Sequence, residues 1–201
     1  MSKVKIVYYI FFFCVILFTS CENNYAPKPK GYFRIELPKK EYIIFDSVYP
    51  YKFEYPVYAK ISPDTDFMTE PFWININYPQ FKAKIHISYK HIKNNLPDYI
   101  EDTRTLVNKH ISKADAINTK LFINNKDKVY GITYDIKGTN TASPFQFFVT
   151  DSVTHFIRGA LYFNIKPNND SLSPVINFIK EDIKHTINTL QWKTESQSKK
   201  Y

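Results

Sequence analysis

The succession strands, helix, strands, helix predicts an α+β fold: a single domain with a largely antiparallel sheet and two main helices packed on it. Three observations carry this expectation. Residues alternate with period two over much of 32–90 and 117–163, one helical stripe follows each of those blocks, and the connectors between strands are short and turn-prone. Composition agrees, since 17 Phe, 16 Tyr and 2 Trp among 201 residues favour strands with large packed side chains.

The first block offers strands at residues 32–37, 52–61, 72–78 and 81–90. In the last of these, Phe81, Ala83, Ile85, Ile87 and Tyr89 point to one face while Lys82, Lys84, His86, Ser88 and Lys90 point to the other, the pattern of a sheet dry on one side. Asn77-Tyr78-Pro79-Gln80 supplies turn chemistry, which makes the third and fourth strands a hairpin. A helix then starts in Asn94-Asn95-Leu96-Pro97-Asp98, with an Asn cap, Pro in the first turn, and Asp98, Glu101 and Asp102 facing the positive end of the dipole. Leu96, Ile100, Thr103, Leu106, Val107 and Ile111 form its apolar stripe, and Lys109, His110 and Lys113 sit at the negative end.

The second block gives strands at 117–123, 129–136, 143–150 and 155–163, joined by Asn124-Asn125-Lys126-Asp127, Lys137-Gly138-Thr139-Asn140 and Asp151-Ser152-Val153-Thr154. Connectors this short imply antiparallel neighbours. Residues 155–163 are apolar on both faces, so this strand is expected at the centre of the sheet and covered on both sides. Ser173 then caps and Pro174 opens a last helix with Val175, Phe178, Ile179, Ile183, Ile187 and Leu190 on one stripe, ending near Trp192. A PsbP-like sandwich has a comparable succession of elements, as an analogy of fold alone.

Upstream of the domain the chain reads as an export signal. Lys3 and Lys5 precede an apolar run over 6–18, and Phe18-Thr19-Ser20-Cys21 brings small residues up to a thiol. The run is short of the roughly 20 residues a bilayer span requires, so residues 1–20 are expected to be a lipoprotein signal peptide and Cys21 the lipidated position. Diacylglycerol and an N-acyl chain, a palmitate among the candidates, would together anchor the protein stably where one chain is marginal. Residues 21–31 then form an extended tether, 32–193 the globular domain and 194–201 a frayed tail.

Export and composition exclude several function classes. The net charge of +8 would suggest nucleic acid in a cytosolic protein, whereas an exported one meets anionic lipid, wall polymer or acidic proteins instead. Only Gly31, Gly131, Gly138 and Gly159 occur, too dispersed for a phosphate-cradling loop, so no nucleotide is expected. Of the two cysteines, Cys14 lies in the signal and Cys21 carries lipid, leaving no thiol for a disulfide or a thiolate metal site. No cofactor and no metal are expected, and the domain reads as non-enzymatic.

Several residues remain as candidates for interaction or chemistry. Asp151, Ser152 and His155 crowd one turn beside Thr154, which raises an acyl-transfer triad, although residues this close in sequence usually serve a hairpin whose side chains bond the local backbone. Arg158 shares a strand face with Phe156, Ala160 and Tyr162 and needs either a carboxylate, Asp151 or Asp135, or an anionic ligand. Glu181 and His185 are four apart on the last helix, where a surface ion pair outweighs a ligand pair. Tyr49, Tyr51, Tyr55 and Tyr58, interleaved with Lys52 and Lys60, offer a stacking platform for glycans or, more simply, cross-strand packing. A basic face at Lys82, Lys84 and Lys90 would serve a wall-polymer binding module.

Three stretches carry a resemblance to a known family. Pro27-Lys28-Pro29-Lys30-Gly31-Tyr32-Phe33-Arg34-Ile35, the segment from Trp73-Ile74-Asn75-Ile76 through Ser88-Tyr89-Lys90, and Gln146-Phe147-Phe148-Val149-Thr150-Asp151-Ser152 with Phe156-Ile157-Arg158-Gly159-Ala160-Leu161-Tyr162-Phe163 resemble the gliding motility lipoprotein GldD family of the Bacteroidetes. The resemblance implies a cell-envelope lipoprotein required for gliding, tied to type IX secretion, with the bilayer and envelope proteins of that machinery as partners. An outer-membrane anchor is expected in preference to an inner one, and the resemblance carries over only Cys21 as a functional position. The alternative is an envelope-polymer (peptidoglycan or glycan) binding module or hydrolase.

Overall fold

The computed structural model describes residues 35–194, which lie in the compact unit Arg34–Tyr201. The signal peptide, Cys21, the tether and all but the first residue of the tail therefore lie outside the described residues. No described helix is long and apolar enough to cross a membrane.

Among the described residues ten strands and two α-helices follow in the order β1 (Tyr42–Phe45), β2 (Tyr51–Pro56), β3 (Lys60–Pro63), β4 (Ile74–Tyr78), β5 (Ala83–His91), α1 (Leu96–Asn108), β6 (Ala116–Asn124), β7 (Val129–Lys137), β8 (Phe145–Thr150), β9 (His155–Phe163), α2 (Asn169–Thr189) and β10 (Gln191–Trp192). The α+β expectation holds, with every strand pair antiparallel. Seven strands form one sheet in the order β3-β4-β5-β9-β8-β7-β6, and β1-β2-β10 form a second. β9 is the middle strand of the seven, as its two apolar faces require.

Alternation along the strands sorts side chains to two faces. Toward α2, Ile76, Ile85, Ile87, Phe147, Val149, Ile157 and Leu161 join Tyr51 and Phe53 of β2 and Val175, Ile179, Ile183 and Ile187 of α2 in one core. Toward α1, Val107, Tyr134, Ile136, Phe148 and Phe156 form a smaller one. Each fully buried Ile or Phe contributes about 1.5–3 kcal/mol, so the larger core dominates stability. α2 is held along β2 by Thr186 Oγ1 donating to the Glu54 carbonyl at 3.0 Å and by Thr189 Oγ1 accepting the Glu54 amide at 3.0 Å.

Several boundaries differ from the sequence reading. Residues 35–37 are not strand, and the first strand is Tyr42–Phe45. The expected strand at 52–61 breaks at Val57-Tyr58-Ala59 into β2 and β3, which belong to different sheets. Asn95 occupies the cap position of α1, but its side chain turns back to accept the Lys93 amide at 2.8 Å instead of capping the helix. Ile111 falls beyond α1 and is 59% exposed. α2 begins five residues before Pro174, capped by Asn168, whose side chain accepts from the Ser171 amide, and it stops at Thr189 so that Gln191 and Trp192 can pair with Lys52 and Tyr51.

Candidate functional site

The singled-out residues fall on two opposite faces of the large sheet. His155 opens β9 on the α2 side, and Arg158, three residues on, points to the α1 side.

The β8–β9 connection is built around Asp151. Its Oδ1 accepts the backbone N–H groups of Val153 at 3.0 Å, Thr154 at 2.8 Å and His155 at 2.8 Å. Thr150 Oγ1 accepts the Ser152 amide at 2.9 Å, which holds Ser152 in the left-handed region at φ 69°. Burial raises the Asp151 carboxyl pKa, but those three amides and the neighbouring His155 outweigh it and the net pKa lies below the usual carboxylate value. The turn is thus a self-satisfied Asx structure.

His155 projects from this turn against Tyr89, whose hydroxyl lies 2.8 Å from Nδ1, and its ring stacks on Trp192 at 5.0 Å between centroids with 9° between planes. Trp192 is fixed in turn by Nε1 donating to the Lys128 carbonyl at 3.0 Å. An open cleft of about 890 Å³ fronts the stack, lined by Tyr89, His91, Lys128, Asp151, His155 and Trp192 among others. Ser152 is exposed and outside the lining. With Asp151 Oδ1 committed to the backbone and His155 Nδ1 to Tyr89, and with no hydrogen bond between Ser152 and His155 among the described residues, these three side chains are not arranged as a nucleophile, base and orienter.

The cleft predicts a pH dependence. Burial pushes the His155 imidazole below its usual value of 6.5, Asp151 opposes the shift and His91 adds to it. A base whose folded pKa is depressed contributes stability above the unfolded pKa and loses it as pH falls through the folded one. Urea unfolding at a series of pH values should therefore show stability declining below about 6.5, and His155→Phe should flatten part of that slope. His110, shifted down chiefly by burial and then by Arg158 and Lys113, contributes in the same direction.

Arg158 lacks the carboxylate that sequence proposed for it. Asp135 points to the opposite face and pairs with Lys180 of α2 at 2.7 Å, while Asp151 is taken by its own turn. Instead Arg158 Nη2 donates to Gln146 Oε1 at 2.6 Å. The Glu181–His185 pair also does not form: Glu181 binds Lys184 at 2.7 Å, and His185 reaches Glu54 of β2 at 2.7 Å while stacking on Tyr42. Tyr51 is fully buried and Tyr49 packs against Phe45, Tyr51 and Phe72, so packing accounts for these tyrosines. Among the described residues no three His, Cys, Asp or Glu side chains are placed to hold a metal.

Sequence reasoning missed Asp182. It sits fully buried on α2, where Lys40 forms a salt bridge with Oδ1 and the hydroxyls of Tyr42 and Tyr58 donate to it at 3.0 Å. The Lys40 ammonium also donates to the Phe178 carbonyl and lies 3.4 Å from the Phe178 ring centroid. Burial first, and then the Asp182 charge, push both phenols well above their ordinary pKa, so they remain donors at neutral pH. The signal was present as an acid inside the stripe Ile179, Asp182, Ile183, Thr186.

The fold is similar to that of cyanobacterial PsbP from Synechocystis sp. PCC 6803, solved in solution, at 10% identity and a TM-score of 0.48 over 80% of this chain and 97% of that one. No curated protein matches the sequence. The family described as gliding motility lipoprotein GldD matches residues 22–192, a span that begins next to Cys21 and takes in the whole of both sheets. The chain belongs to the gliding motility lipoprotein GldD family.

Proposed function

We propose that the protein is a non-enzymatic accessory lipoprotein of the gliding apparatus, anchored through acylated Cys21 in the outer membrane and contacting other envelope proteins of the type IX secretion and gliding machinery through its folded body. The observation that carries this reading is the family match over residues 22–192 directly after an export signal that ends in Cys21. The self-satisfied Asp151 turn supports a non-catalytic role. A strain carrying Ser152→Ala with His155→Gln, at normal protein level, should glide as the wild type does; loss of gliding with the protein folded and localised would instead favour chemistry at the cleft.

A second reading rests on the cleft itself. Trp192 offers aromatic surface at the cleft and Lys126 and Lys128 offer charge, a combination suited to an envelope polymer. Salt-sensitive retention of the purified domain on sacculi, reduced by Lys126→Ala with Lys128→Ala, would support it, and absence of retention would remove it.

A further inference from the structure

The antiparallel registers bring one set of strand ends to a single rim of the large sheet: Tyr78 closes β4 there, Ala83 opens β5, Phe163 closes β9, Lys137 closes β7 and Ala116 opens β6. The described chain also enters at this rim, where Gln80 Nε2 donates to the Glu36 carbonyl at 3.1 Å. Lys60, Lys82, Lys84, Lys113, Lys137 and Lys166 are all exposed on it, and none pairs with a carboxylate among the described residues. Carboxylates are fewer there. Glu36 and Asp115 are exposed, Asp170 accepts from Thr139 Oγ1 at 2.9 Å, and Glu41 pairs with Lys39. The opposite rim mixes the two signs, since Lys90 is bound to Glu70 and Lys193 to Asp46, and it carries Asp66, Asp98 and Asp127 besides.

Two open hollows shape the lysine rim. One, of about 370 Å³, is lined by Lys113, Asn140, Lys166 and Pro167, and the other, of about 440 Å³, has Lys82, Lys84 and Asn164 in its lining. Each sets two ammonium groups beside a side-chain amide, donors that suit the charge and acceptor oxygens of a phosphodiester headgroup. Leu37 and Ile165, 42% and 41% exposed, add apolar side chains of the kind that settle at a headgroup boundary. Residues 22–34 join Cys21 to this rim and contribute Lys28, Lys30 and Arg34. Extended at roughly 3.1 Å per residue, that stretch spans at most about 40 Å, so the rim stays within reach of the bilayer that takes the anchor.

We propose that this lysine rim docks on the anionic phospholipid headgroups of the bilayer that holds the anchor; the inference rests on acylation of Cys21. Near an anionic surface each lysine strengthens association about fivefold, an attraction that fades within a Debye length of about 8 Å in physiological salt. The anchor keeps the rim at high local concentration, so a few such contacts suffice to orient the domain. Docking turns the β4–β5 and β7–β8 connections toward the membrane. The cleft at His155, which lies at the opposite rim, then faces away from the bilayer and toward other envelope components.

The test places the acylated protein in phosphatidylcholine vesicles, with or without phosphatidylglycerol, that carry a quencher on the lipid headgroups. Cys14 leaves with the signal and Cys21 is acylated, so one fluorophore can be attached at Asn140→Cys on the lysine rim or at Asn125→Cys on the opposite one. Quenching several-fold stronger at Asn140→Cys with phosphatidylglycerol present, falling with added salt and lost when Lys82, Lys84, Lys113 and Lys166 are all replaced by Gln, supports the docking. Equal quenching at the two positions, or a difference indifferent to phosphatidylglycerol and to the four substitutions, would overturn it. Retention on sacculi through these lysines, without lipid-dependent quenching, also overturns it and assigns the rim to wall polymer. Flotation with the vesicles at high salt reads the anchor by itself: a protein that floats without the Asn140 preference refutes the docking alone. Failure to float removes acylation, and binding to phosphatidylglycerol vesicles at low salt, or its absence, then decides whether the rim recognises headgroups.

Discussion

Asp182→Ala is expected to destabilise the domain by about 3 kcal/mol or more, because removing one partner of a buried ion pair strands the others. The substitution leaves the Tyr42 and Tyr58 hydroxyls without their acceptor and the Lys40 ammonium with only the Phe178 carbonyl and ring. Lys40 keeps some access to solvent, its side chain being 30% exposed, which moderates the cost without cancelling it. For a chain of this length, about 3 kcal/mol corresponds to a fall in Tm of roughly 6–12 °C. Asp182→Asn keeps the shape and an acceptor oxygen and should lose less. The consequence reaches beyond stability, since Lys40 and Tyr42 are where the chain leading from the anchor is fastened to α2. Thermal unfolding of the two variants checks the order; equal stability of Asp182→Ala and the wild type would show that the cluster contributes nothing.

Gly131→Ala should be comparably severe for a different reason. A Cβ built at Gly131 would lie 1.9 Å from the Phe148 carbonyl oxygen and 2.9 Å from the Val149 Cα, both backbone atoms of β8. Backbone in the middle of a paired sheet cannot rotate away as a side chain can, so β7 and β8 must separate at the Gly131↔Val149 pair. Forcing atoms into a packed interior costs about 1–3 kcal/mol, occasionally more, and a clash with backbone belongs at the upper end. Gly159 is the informative contrast. Its added Cβ would meet the Phe147 ring edge at 2.1 Å, a side chain with some freedom to shift. Denaturant midpoints are therefore expected to rank wild type above Gly159→Ala and Gly159→Ala above Gly131→Ala. The reverse ranking of the two glycine variants would show that ring packing, not strand spacing, limits this sheet.

Much of the architecture was legible because it rests on period and punctuation. β5 alternates so regularly that its buried face, from Ala83 to Tyr89, follows from the residues alone, and the connectors after β4, β6, β7 and β8 are turns by composition. What escaped depends on pairings distant in sequence. β1 and β10 are strands because β2 stands between them, and nothing in Tyr42–Phe45 or Gln191–Trp192 alone demands it. The split of 52–61 into strands of two sheets falls at Tyr58, whose hydroxyl bonds Asp182, 124 residues away. Pro174 misled because proline marks the first turn of many helices, and here Asn168 starts the helix earlier.

The candidate site was legible only in part. Asp151 as a backbone-bonding turn residue followed from its type, and the structure gives it three amides. That His155 stacks on Trp192 at the mouth of a cleft did not follow, because it needs β10 to return beside β2. The demand of Arg158 for a partner was readable from its apolar neighbours. Which partner was not, since strand parity puts Asp135 on the other face and turn chemistry consumes Asp151.

We propose that an acyl-anchored body, not a catalyst, serves gliding. The most direct measurement pairs membrane fractionation with gliding on a surface for a strain in which Cys21→Ala replaces the native residue. The expected result is a folded protein released from the membrane fraction and loss of gliding, with both restored by Cys21; wild-type gliding by the unlipidated protein would contradict the proposal.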